Sequence, residues 1–306
     1  MNSLPSRIWK DLNVATGVLL HNPLGQIPGL VGPLTRRGKG PWNETRVFQV
    51  PPDLPGLRDS ARTLRRLMGL SLPSRHVHSV YCGDQQKKHS KERWFFINGI
   101  MTEERLLHLN GECLSAAFGR RIEMIQSLTR GILPDLGECI LGRSLDLNAE
   151  VSGYALGRIL TALNDPGVNR VIILAHSRGC TILARVLREL MMKEGILPLL
   201  GKAECYTFGS ATEDMPCMFR GSRDAGHRSP WIEHYVNEGD TVAQLGILQN
   251  PRAIPGNVFT RPAKGHFLNS HYLPALTGGR FTRKDGRRPR LPRYLGGKVP
   301  RRLTTA

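Results

Sequence analysis

The 306-residue sequence has no run of about eighteen consecutive apolar residues, so no transmembrane segment is expected. It has no CxxC pair. Its six cysteines (Cys82, Cys113, Cys139, Cys180, Cys205 and Cys217) are scattered along a chain too long to need a disulfide scaffold. Reduced thiols are therefore the default. No internal repeat is present. The glycines between residues 25 and 40 are not followed by a helical pattern, so no phosphate-cradling loop is indicated, and no cofactor is called for. The apolar patch VATGVLL (14–20) follows Asp11 and lacks a small-residue cleavage site, which argues against a secretory leader. A cytoplasmic location is the default, with organelle targeting left open.

Acids are scarce. There are 25 Asp and Glu against 43 Lys and Arg, a formal charge of +18. Half of that excess lies in residues 280–306, which hold ten Lys or Arg and one acid. Broken by Pro and Gly, this stretch reads as a solvated, flexible basic tail. Such a tail suits contact with anionic lipid or the acidic face of a partner. Phe281 and Tyr294 are its only aromatics, too few for stacking on single strands, so nucleic acid is not favoured.

What is present is an ordinary apolar fraction, 40%, enough for a sizeable core. Residues 1–44 are Gly-, Pro- and base-rich and read as an irregular arm. RVFQV (46–50) has strand character and 59–70 a short helical pattern. HVHSVYC (76–82) and RWFFINGI (93–100) read as two strands of a hairpin across a polar turn. Residues 103–165 read as helical, and 103–145 are long enough to cover a pocket. The stripe Leu147, Val151, Tyr154, Ala155, Ile159 and Ala162 marks one helix, with Asp146 as a possible cap. VIILA (171–175) is a strand, CTILARVLRELMMKEG (180–195) a helix, ECYTFGS (204–210) and IEHYVNEGD (232–240) further strands, and 265–276 a last helix. This alternation predicts an α/β three-layer sandwich around a mostly parallel central sheet, spanning residues 45–279.

Within it, AHSRG (175–179) sits between a very apolar strand and an amphipathic helix. Ser177 has small residues, Ala175 and Gly179, two positions to either side. A serine on so sharp a turn is lifted clear of the sheet beside the amides of a helix start. The bland alternative is a polar turn after a strand.

From this point the chain resembles the α/β-hydrolase superfamily, particularly lipase-like members similar to class 3 lipases, over roughly residues 93–276. AHSRG resembles the nucleophile elbow, with Ala175 where the pattern has Gly. RWFFINGI resembles the strand ending in the oxyanion loop, with Asn98 where His is usual, followed by Gly99. ECYTFGSAT resembles the strand after the elbow helix, and HYVNEGDTVAQLG the acid-bearing segment. The resemblance implies Ser177 as nucleophile, and backbone N–H groups of Ile100 and Arg178 as oxyanion donors.

A serine hydroxyl needs a base during attack, and a histidine serves when an acid fixes its tautomer. The chain order Ser, acid, His points to Asp240, with Glu238 and Asp224 as weaker rivals. His266, just after Gly265, is the favoured base and His271 the alternative. His176, beside the serine, reads as support for the turn. His76, His78, Cys82 and His89 fit no familiar zinc spacing. The expected activity is hydrolysis of carboxylic esters, lipid or other acyl esters foremost, through an acyl-enzyme on Ser177. The alternative is a catalytically silent hydrolase-fold protein that binds anionic partners or membrane surfaces through its basic tail.

Overall fold

A computed structural model describes residues 78–84, 87–99, 104–126, 149–216, 229–252 and 254–301. The arm (1–44), the elements expected at 46–50 and 59–70, Asp146, Asp224 and Ile100 lie outside the described residues.

Seven strands form one sheet: β1 (Ser79–Cys82), β2 (Glu92–Ile97), β3 (Ile122–Ile125), β4 (Arg170–His176), β5 (Ala203–Phe208), β6 (Trp231–Gly239) and β7 (Asn257–Lys264). Their order is β1-β3-β2-β4-β5-β6-β7, and every pair is parallel except β1 with β3. The helices are α1 (Glu104–Phe118), α2 (Ala149–Asn164), α3 (Gly179–Met192), and the short α4 (Thr241–Leu245) and α5 (Leu273–Thr277).

Side chains alternate along each strand, and both sheet faces are covered. Phe95, Ile97, Ile173 and Ala175 point to a core shared with Val151, Ala155 and Ile159 of α2 and Ile182, Val186 and Leu190 of α3. Trp94, Phe96, Ile172 and Leu174 point to a second core with Leu107, Leu114 and Phe118 of α1 and Leu273 and Leu276 of α5. Double coverage is why VIILA is apolar throughout rather than alternating. The result is the predicted three-layer α/β sandwich.

Several expectations change. β1 and β2 are not a hairpin, because β3 lies between them and pairs with both. Residues 104–126 are not a pocket cover: α1 and β3 are integral layers of the sandwich, while 127–148 lie outside the described residues. The basic segment is not a free tail through residue 301. Phe281, Leu291 and Tyr294 are buried in the second core, and Thr282 bridges to Thr260 of β7. Arg290 Nε and Nη2 donate to Glu204 at 2.9 and 2.8 Å, both side chains being buried. Arg120 and Arg170 donate to the carbonyls of Lys298 and Pro300, at 2.8 and 2.6 Å. Composition registers a segment's charge but not the buried carboxylate that consumes it. The sandwich therefore extends past residue 279.

Among the described residues, no helix is long and apolar enough to cross a membrane.

Candidate active site

The chain leaves β2 toward α1 on one face and leaves β4 toward α3 on the other, so the connections diverge between these neighbouring strands. A crevice at the carboxyl ends of strands, where the connections diverge in this way, is the standard ligand position in open α/β sheets. Gly99 follows β2 and Ser177 follows β4, and they meet there: a β-carbon on Gly99 would lie 2.7 Å from Ser177 Cβ and 3.3 Å from its Oγ.

Ser177 has φ +58°, the only positive value at a non-glycine residue among those described. The left-handed conformation costs an L-residue roughly 1–2 kcal/mol. Three groups hold it there. Its N–H donates to the Phe208 carbonyl at 3.0 Å, its carbonyl accepts from Cys180 N at 3.0 Å, and also from Ala211 N at 3.3 Å. Gly179 opens α3 directly against β2, and any β-carbon there would run into the Ile97 carbonyl. The small residue two places after the serine is thus a steric necessity. Ser177 is 1% exposed, and its Oγ has no hydrogen-bond partner. The sequence predicts a hydroxyl lifted clear of the sheet at a helix start. Here it is closed over, with Gly99 among the groups packed on it.

Asp240 follows β6 and caps α4. Its Oδ1 accepts from Val242 N at 2.9 Å and Ala243 N at 3.4 Å, satisfying amides of a helix start. Its Oδ2 accepts from His266 Nδ1 at 2.7 Å and from the Tyr272 hydroxyl at 2.5 Å. A carboxylate on Nδ1 fixes the proton there and leaves His266 Nε2 bare, and this buried nitrogen has no partner.

His176 lies beneath the base. Its Nε2 donates to the His266 carbonyl at 2.8 Å, and the two rings stack with centroids 4.6 Å apart. Burial is the main reason the His176 imidazole titrates only at about 3, so it stays neutral beside His266. His271 is engaged differently: its Nδ1 accepts from Phe267 N at 3.0 Å, and burial lowers it to about 4.

Gly209, at the end of β5, has φ +52°. A β-carbon there would lie 2.7 Å from Asp240 Oδ2, 2.9 Å from the Tyr272 hydroxyl and 3.0 Å from His266 Nδ1.

The structure thus brings Gly99 against Ser177 and His266 against Asp240, and His176, the neighbour of Ser177 in the chain, ties the two pairs together through its ring and the His266 carbonyl; Asn98 is also buried, just after β2. Glu238 is exposed and its carbonyl accepts from Gln244, apart from this cluster. Of the residues considered for zinc, His89 accepts from Arg120 at 2.9 Å, Cys82 is a free buried thiol, and His76 lies outside the described residues. Tyr272 and Gly209 escaped the sequence reading. An aromatic in an apolar helical stripe looks like core, and the glycine after β5 looks like an ordinary turn.

The strand order, with a strained serine between β4 and α3, makes this an α/β-hydrolase-like fold. No protein-family model and no curated protein sequence matches the chain. Among solved structures it is similar to a mutant of the esterase E40, at 12% identity over 74% of this chain and 90% of that one, with a TM-score of 0.37. It is also similar to the esterase of Pyrobaculum calidifontis, at 10% identity over 76% and 87%, with a TM-score of 0.38. Likenesses this distant leave the assignment of the fold to the chain's own strand order.

Proposed function

We propose that the protein is a serine hydrolase acting on carboxylic esters. The observation that carries this is a pair of orphaned atoms. Ser177 Oγ and His266 Nε2 are both buried without a hydrogen-bond partner, one on a strained turn and the other on an imidazole tethered to Asp240. Leaving a buried polar atom unpaired costs about 1–3 kcal/mol each, and of the buried unpaired atoms among the described residues these two alone sit on a strained serine and on an imidazole whose other nitrogen is held by a buried carboxylate.

In the proposed reaction Ser177 Oγ attacks the ester carbonyl carbon while His266 Nε2 takes the hydroxyl proton. Asp240 stabilises the resulting imidazolium through Nδ1. The tetrahedral oxyanion is held by the backbone N–H of Arg178, at the first turn of α3, and by that of Ile100, with Asn98 and Gly99 shaping the loop. The alkoxide leaves with the proton from Nε2, giving an acyl-enzyme. Water then attacks the acyl carbon as His266 takes its proton; the acyl–Oγ bond breaks, Nε2 returns that proton to Ser177 Oγ, and the carboxylic acid is released. Because the hydroxyl is enclosed, substrate reaches it only when the groups over it, the Gly99 loop among them, give way. Lipase-like acyl esters are the proposed substrates.

A fluorophosphonate probe tests this. Wild type should be labelled and Ser177→Ala should not. Hydrolysis of p-nitrophenyl esters of graded chain length should fall by roughly 10⁴ or more in Ser177→Ala and His266→Gln. Labelling that persists in Ser177→Ala would overturn the proposal.

A further inference from the structure

Asp240 is fully buried, and Arg261, a cation that acts on Tyr272 and His271, donates elsewhere. Its Nε donates to Asn237 Oδ1 at 2.6 Å and its Nη2 to the His271 carbonyl at 3.0 Å. Four donors meet the carboxylate: two amides on Oδ1, and His266 and Tyr272 on Oδ2. The Tyr272 proton has one destination. The Asn237 N–H donates into the phenol oxygen at 3.2 Å, so the hydroxyl must point its own hydrogen at Asp240. Burial, and then the charge of Asp240, raise this phenol well above its ordinary value and keep it a donor. Its position follows from a π-helical turn, Leu268–Tyr272, in which Tyr272 N reaches the Phe267 carbonyl at 3.3 Å. Widened turns of this kind recur at functional sites.

Two donors thus compete for one oxygen. Electron density that Oδ2 gives to the Tyr272 hydrogen is withdrawn from the His266 hydrogen. We propose that Tyr272 is a positioning residue for the Asp240–His266 pair: its hydroxyl fixes the orientation of the carboxylate and weakens its pull on the imidazole, so that the imidazolium gives its proton up to the leaving alcohol. The kinetic part rests on the hydrolase function proposed above; the electrostatic part does not. The other titratable groups facing the pair are His176 from β4, His271 from the π-helical turn and Arg261 from β7. Burial keeps His176 and His271 neutral down to about 3 and about 4, so neither changes charge where His266 would be followed. A merely structural role for Tyr272 is the competing account, since its ring also packs on Phe208 and Phe281.

The test uses the full chain with ¹³C-labelled histidine. The His266 titration is followed by NMR, and kcat/KM for a p-nitrophenyl ester is followed against pH. In Tyr272→Phe, Oδ2 concentrates on His266 and stabilises its imidazolium. The NMR midpoint and the acidic limb of kcat/KM should both move to higher pH, by roughly half a unit to one unit. At the plateau kcat should fall about tenfold with KM nearly unchanged. Difluorotyrosine at position 272 keeps the ring and donates more strongly, so it should move both in the opposite direction, and it serves if the Phe variant fails to fold. Tyr235→Phe, which removes an equally buried hydroxyl from Glu233, should destabilise the protein without moving either limb. A His266 midpoint unmoved by both changes at position 272 overturns the proposal. A midpoint that moves in a protein that hydrolyses no ester supports the electrostatic role and removes the hydrolase function instead.

Discussion

His176 Nε2 is bonded to the backbone of the very residue whose ring it stacks upon, His266. The turn that strains Ser177 and the loop that carries the candidate base are thereby one mechanical unit. Adjacent imidazoles cannot both be charged at low cost, and burial resolves the conflict by keeping His176 neutral.

That arrangement makes stability fall in acid. His176 titrates at about 3, and His234 and His271 at about 4, in each case chiefly because burial penalises the charged ring. In the unfolded chain the same groups titrate near 6.5. The folded values are depressed, so the stabilisation is complete above about pH 6.5 and drains away as pH falls toward 4 and then 3. Urea unfolding at pH 7.5 and 4.5 should differ by several kcal/mol. His234→Gln should flatten the dependence, since Gln keeps bonds to Thr207 and the Pro255 carbonyl without a titrating ring.

Ser177→Gly should abolish probe labelling and yet raise stability. Glycine adopts φ +58° without strain and removes the unpaired hydroxyl. A gain of about 1–2 kcal/mol, read as a melting point higher by a few degrees, is expected. An unchanged or lower melting point would show that Ser177 is not strained.

Gly209→Ala should damage activity far more than folding. The added methyl group meets Asp240, Tyr272 and His266 together, and the left-handed backbone adds about 1 kcal/mol. Displacing a base by a fraction of an ångström should lower kcat about 100-fold. Ester hydrolysis alongside a melting curve separates the two effects.

Arg290→Met should destabilise by about 3–5 kcal/mol, because it strands the charge of Glu204 in the core. Adding Glu204→Gln should return part of the loss: the amide still accepts from Tyr206 and Tyr294, and no charge is left unpaired. Denaturant unfolding of the single and double variants checks this.

The unit β4–Ser177–α3 was legible because its logic is local: an apolar strand, a cramped turn and an amphipathic helix are neighbours in the chain. The segments bearing Asp240 and His266 were legible from chain order, and the structure adds the 2.7 Å contact between them. β3 was not legible. It is four residues long and includes Glu123, whose charge is met by Arg158 and Tyr81 from distant segments. β7 was missed because Arg261, Pro262 and Lys264 deplete its strand signal, as suits an edge that must not recruit another chain. The hairpin failed because β3 intrudes from some thirty residues away. The packing of residues 280–301 was hidden for a related reason: Arg290 finds Glu204 across 86 residues of sequence.

That last distance bears on how the molecule is made. Synthesis delivers Glu204 and Glu233 long before Arg290, whose guanidinium and backbone amide they receive. Until residue 290 has emerged, two neighbouring strands hold acids with no base to meet them, and water must keep access to that rim. The border of β5 and β6 is therefore sealed only as a late segment arrives, leaving an interval in which a chaperone or a protease can tell an unfinished chain from a finished one.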